Sequence, residues 1–131
     1  MSKTTASSWQ HQPIQNPTSA AWQVEIPPAD VSKLLDGLRP QMMEDKWFIY
    51  ADEPDGQGRT AVHFCRSWTG DEIFLLNLVA AVDASRALVA DQPARLTDIV
   101  WEAGRMRETE AKQTARELCT NLLGCRFAVD S

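Results

Sequence analysis

The sequence predicts an α+β domain: an antiparallel β-meander over about residues 46–82, with an N-terminal strand–helix unit before it and C-terminal helices packed on the sheet. Three observations carry this. Aromatic and branched residues concentrate between Lys46 and Val82 and are broken by two turn-forming segments. A Pro-Pro pair separates an alternating segment from an apolar stripe at helical spacing. After residue 93 the apolar residues again recur at intervals of three and four.

The elements follow in order. Residues 1–20 are Ser, Thr, Gln, Asn and Pro around Trp9 and Ile14, with Lys3 as the single formal charge, and read as a mobile leader to a globular domain over 21–131. Trp22-Gln23-Val24-Glu25-Ile26 alternates as a half-buried strand does, and Pro27-Pro28 stops it. Those prolines also suit a helix start, and Asp30 lies where a carboxylate complements the helix dipole. Val31, Leu34, Leu35, Leu38 and Met42 give the stripe, which Gly37 and Pro40 end near Arg39. Lys46 to Tyr50 and Thr60 to Trp68 form a hairpin around Asp52–Gly58, and Thr69-Gly70-Asp71 turns into a third strand, Glu72 to Val82. That third strand is apolar on both faces, as a central strand is. Residues 83–92 are ambiguous, with Ala87–Ala90 as a candidate short strand. Asp91-Gln92-Pro93 reads as a helix entrance for Leu96, Ile99, Val100, Ala103 and Met106. Ala111, Ala115, Leu118, Cys119 and Leu122 define a further helix, with Gly124 at its C-cap. Arg126–Val129 is a candidate terminal strand.

Charge and composition bound the function. The chain has 131 residues, 13 basic against 18 acidic, for a net charge of −5. The leader holds one base and no acid, so the remaining 111 residues carry 12 bases against 18 acids. Such a surface argues against a general affinity for nucleic acid and against a basic membrane-binding helix. The longest apolar run, Ile73 to Val82, is ten residues broken by Asn77, too short to span a bilayer. Three cysteines without a CxxC pair suit a reducing, cytoplasmic setting. Two histidines, His11 and His63, do not supply the spacing of a zinc site, and no metal or other cofactor is expected.

The motif search finds no catalytic set. His63 and Cys65 share a strand face, yet at i and i+2 they do not form a dyad. Ser67 lacks a nucleophile elbow, and Asp55-Gly56-Gln57-Gly58 is a hairpin tip without a phosphate-loop Lys. Asp52, Glu53 and Asp55 lack the spacing of a calcium loop and read as a solvated turn. The distinctive residues are Lys46, Trp47, Arg66, Trp68, Thr69 and Glu72. Alternation puts Phe64, Arg66 and Trp68 on one face, and His63, Cys65 and Ser67 on the other. Arg66 is expected to stack on Trp47 or Trp68 and to pair with Glu72 across the turn. Exposed, the same residues present donors and ring faces to a ligand or partner.

The segment Lys-Trp-Phe-Ile-Tyr, followed by Phe-x-Arg-Ser-Trp-Thr-Gly-x-x-Ile-Phe, resembles a family of small uncharacterised bacterial proteins over about residues 46–76. The matching positions are Trp47, Arg66, Ser67, Trp68, Thr69 and Gly70, and Cys65 is not characteristic. Similar segments beside ADP-ribose-handling domains imply an accessory role near nucleotide chemistry. The expected function is a non-enzymatic protein that binds a protein partner, inhibitory or immunity-like, as an acidic domain without a catalytic set can be. The alternative is a small enzyme or sensor for a nucleotide-like ligand such as ADP-ribose.

Overall fold

The computed structural model describes residues 14–38, 45–52, 55–67, 69–81 and 92–125. Among these residues, five strands and two helices form an α+β fold. Strands β1 (Pro17–Ile26), β2 (Trp47–Ala51), β3 (Arg59–Arg66), β4 (Glu72–Val79) and β5 (Ala94–Glu102) make one antiparallel sheet, ordered β1-β5-β4-β3-β2. Helices α1 (Pro28–Asp36) and α2 (Glu108–Asn121) both bury their apolar residues in a core shared with one face of this sheet.

Alternation determines that face. Ile49, Val62, Phe64, Phe74, Leu76, Leu96 and Ile99 are fully buried beneath the helices. Phe64 and Phe74, partners across β3 and β4, stack with ring centroids 4.5 Å apart. Pro28 opens α1, where its missing N–H costs nothing, and the Pro27 carbonyl accepts the N–H groups of Asp30 and Val31. Val31, Leu34 and Leu35 face the sheet; burying a side chain such as Leu34 contributes about 1.5–3 kcal/mol. Ala111, Ala115 and Cys119 form the buried stripe of α2, small enough for a close approach to the sheet. The Glu110 carboxylate accepts the Arg107 N–H at the head of α2. At its tail the Cys125 N–H donates to the Cys119 carbonyl across Gly124, whose positive φ lets the chain fold back over the helix end. Lys33 Nζ donates to the Gly124 carbonyl at 3.0 Å, tying α1 to the end of α2.

Two sequence expectations change here. The segment after Pro93 is not a helix but β5, lying between β1 and β4. Leu96 and Ile99 both face the core because the register shifts between them: Leu78 pairs Leu96, but Asn77 pairs Asp98. The extra residue, Thr97, turns a spacing of two into three and so imitates a helical period. Its hydroxyl proton is shared between the Asn77 carbonyl at 3.1 Å and Asp98 Oδ1 at 2.8 Å. The second change is at the start of the domain. Residues 17–20, read as leader, belong to β1, and the Asn16 carbonyl receives the Ala103 N–H beside them. The candidate strands Ala87–Ala90 and Arg126–Val129 lie outside the described residues, as do Trp9 and Met42; α1 ends at Asp36, ahead of the expected stop near Arg39, where Gly37 leaves the helical conformation with φ 70°.

Candidate functional site

Two constellations stand on opposite faces of the β2–β3 hairpin. The first is built on the helix side of the sheet at its β2 edge. Trp47 and Arg66 are register partners, so their side chains share a face. The Arg66 guanidinium carbon lies 5.1 Å from the Trp47 ring centroid, and that ring meets Phe74 at 6.1 Å from below. Arg66 is exposed while Trp47 is half-buried, so the cation forms the outer layer of the stack. Lys46, exposed, precedes β2. Between this edge and the C-terminal half of α2 lies an open groove of about 330 Å³, lined by Leu38, Lys46, Trp47, Glu117, Leu118 and Leu122 among others. Leu122 is 42% exposed and offers apolar surface along the groove.

Ser67, Thr69 and Gly70 hold the turn behind this stack. The Ser67 hydroxyl donates to the Asp45 carbonyl at 2.6 Å and its N–H to the Lys46 carbonyl at 2.9 Å. Thr69 Oγ1 accepts the Asp71 N–H, and the Gly70 N–H donates to the Arg66 carbonyl at 2.7 Å. Thr69 thus shapes the turn, and Trp68 lies outside the described residues. Trp47 and Arg66 are thus stacked register partners, and Lys46 lines the groove with Trp47.

Glu72 does not join them. The register shift between Phe64 and Cys65 pairs Cys65 with Glu72 and swings that carboxylate to the other face of the sheet. The expected Arg66–Glu72 pair is replaced by a part-buried His63–Glu72 contact, from ring Nδ1 to Oε1. The other ring nitrogen, Nε2, lies 2.9 Å from Asp52 Oδ2. The Tyr50 ring stacks on the imidazole at 4.4 Å and 11°, and Phe48 stacks on Tyr50. Burial pulls the His63 pKa down, but the hydrogen bonds and negative charges of Glu72 and Asp52 outweigh it, so the net shift is upward. Burial pushes the Tyr50 hydroxyl up, with the charges of Glu72, Cys65 and Asp52 adding to it. Burial, with Glu72 and Asp71 beside it, pushes the Cys65 thiol up to about 12.

This second constellation was legible only in part. Alternation placed His63 and Cys65 on one face, but nothing in the spacing brought Asp52 and Glu72 to the two ring nitrogens. Chemically it is a latch in which one imidazole is gripped by two carboxylates. An imidazolium donating both N–H groups offers no lone pair to a proton, and a thiol with a raised pKa is a poor nucleophile. The acidic hairpin tip is likewise engaged: Asp55 accepts the N–H groups of Gln57 and Arg59 and the Arg59 Nε–H. Those backbone bonds, with Arg59 beside them, lower its pKa.

Among the described residues no helix is long and apolar enough to cross a membrane, and no group of three or more His, Cys, Asp or Glu is arranged to hold a metal ion. Comparison with family models, curated proteins and solved structures gives no match for this chain.

Proposed function

We propose that the chain is a non-enzymatic binding protein that recognises a protein partner through the Trp47–Arg66 stack and the groove beside it. The observation that carries this reading is an exposed arginine stacked over a half-buried tryptophan that itself lines a groove of mixed apolar and polar side chains. Arg and Trp are among the side chains that most often dominate protein interfaces, Trp through rigid contact area and Arg through its planar fork of donors. Stacking fixes the guanidinium in advance, and Leu118 and Leu122 supply apolar surface alongside. An acidic body around two cationic anchors suits a partner that is basic overall and places a carboxylate opposite Arg66. An inhibitory or immunity-like role is consistent with that charge pattern.

The nucleotide-like alternative draws less support from the same site. Arg66 already occupies the Trp47 ring face that a base would need, and Asp45 and Glu117 line the groove where phosphates would sit. A thermal-shift titration separates the two readings. A ligand at one hundred times its Kd stabilises a domain by about 2.7 kcal/mol. The binding-protein reading expects no shift with ADP-ribose, NAD or common nucleotides. It also expects capture, from lysate of the source organism, of a protein that wild type retains and Arg66→Ala loses. Measurable turnover of a nucleotide, or a shift abolished by Arg66→Ala, would overturn it.

A further inference from the structure

Strand β1 ends the sheet: among the described residues it has β5 on one side and no strand on the other. Register and one hydrogen bond fix which of its backbone groups point outward. The Asn16 carbonyl accepts the Ala103 N–H, so Asn16 faces β5. Pro17 to Ala21 then pair in unbroken register with Glu102 to Asp98. In such a ladder the N–H and C=O groups of successive residues alternate in direction. Thr18 and Ala20 therefore bond to β5, whereas Pro17, Ser19 and Ala21 turn their backbone groups outside. Pro17 has no N–H to turn, which is why a proline fits there. Among the described residues one of these outward groups has a partner: the Ala21 carbonyl accepts Lys112 Nζ at 3.2 Å.

Exposed sheet edges are commonly blunted by charge, proline or bulges. Here those devices frame the run without covering it. Pro17 stands at one end, and Lys112 with the register shift between Ala21 and Val24 at the other. Between them Thr18, Ser19 and Ala20 carry no charge, and the Ser19 side chain is exposed.

The pattern is complementary to itself. In a second copy laid antiparallel, with the two-fold axis at Ser19, the two Ser19 residues exchange both of their hydrogen bonds. Two residues on, Ala21 faces Pro17 of the second copy. Its N–H meets the Pro17 carbonyl. Its own carbonyl, already held by Lys112, meets the residue with no N–H to offer. Every outward donor of the run then has an acceptor. A foreign strand with an N–H opposite Ala21 would instead compete with Lys112 for that carbonyl.

We infer that the chain forms a homodimer by antiparallel β1–β1 pairing over Pro17 to Ala21, which continues the sheet across the two-fold axis. Strand β2, with the Trp47–Arg66 stack, is the opposite edge of the sheet, so both stacks stay free in the dimer. The pairing does not depend on what that stack binds.

The test is analytical ultracentrifugation of the full chain from micromolar to millimolar concentration, where the mass should rise toward twice 14.6 kDa. Over the same range the Ser19 and Ala21 amides should exchange with deuterium about tenfold more slowly or better, since no bond within one chain protects them. Ser19→Lys sets two ammonium groups opposite each other at the axis. Because that side chain is exposed, circular dichroism and Tm should stay unchanged while the dimer is lost. A chain that stays monomeric to millimolar concentration would overturn the proposal. So would a dimer that Ser19→Lys leaves intact, or one that protects other amides and not these two. Protection of both amides already at the lowest concentration would assign the edge to another segment of the same chain and overturn it equally. Should Ser19→Lys fail to fold, the concentration dependence of the wild-type amides decides alone.

Discussion

Replacing Gly58 with alanine costs far more than the same change at Gly124, and the structure says why. Both glycines have positive φ, 83° and 74°, which an L side chain adopts at a cost of about 1–2 kcal/mol. At Gly124 an added Cβ meets nothing within 4 Å, so that cost is all. At Gly58 it stands 1.8 Å from the Ala80 carbonyl oxygen, a backbone atom that cannot rotate away. The same contact carries a hydrogen bond, from the Ala80 N–H to the Gly58 carbonyl at 2.8 Å, pinning the hairpin tip to the end of β4. Forcing the strands apart adds about 1–3 kcal/mol of overpacking and about 1 kcal/mol for the bond. Gly58→Ala is therefore expected to lose about 4 kcal/mol, a large part of the roughly 5–15 kcal/mol that holds such a domain together. At roughly 4 °C per kcal/mol the Tm falls by about 15 °C. Urea denaturation followed by far-UV circular dichroism measures both variants. Stabilities within about 0.5 kcal/mol of each other would refute the clash, and with it the tie between the hairpin tip and β4.

Other consequences concern the latch, the thiols and the two hairpin faces. The folded His63 pKa lies above its ordinary 6.5, so its stabilisation is complete below about pH 6.5 and fades as pH rises through the folded value. The urea midpoint of wild type should fall between about pH 6 and pH 9 more steeply than that of His63→Gln; parallel profiles would contradict the latch. With Cys65 and Cys125 pushed to about 12 and Cys119 raised further by burial, none of the three thiols in wild type should react with a thiol reagent near pH 8 without denaturant. Rapid native labelling of Cys65 would count against its environment. Finally, Phe64→Ala should cost about 3–5 kcal/mol through the cavity it leaves, whereas Arg66→Ala, exposed two residues on, should cost less than about 1 kcal/mol. Denaturation of the pair checks that the Arg66 face serves contact rather than folding.

The meander was legible because its residues are consistent at every level: aromatic strands, turn residues at Asp55–Gly58, and a doubly apolar β4. The strand β5 was not, because one extra residue at Thr97 shifts Leu96 and Ile99 onto a helical spacing, and a bulge leaves no mark in a hydrophobic pattern. The same limit hid the His63 latch. Glu72 follows a turn that, read without the shift at Cys65, points it toward Arg66; the shift sends it to His63 instead. The Trp47–Arg66 pairing was legible because register in a short hairpin follows directly from alternation. The α2 wall of their groove, Leu118 and Leu122, read only as the interior stripe of a helix.

The binding role of the Trp47–Arg66 face is tested most directly by calorimetric titration of the purified captured partner against wild type, Arg66→Ala and Leu122→Ser, each first shown to be folded. Loss of an interface anchor of this kind costs about 2 kcal/mol or more, so both variants should bind about thirtyfold more weakly. Equal affinities across all three proteins would contradict the assignment of this face as the recognition surface.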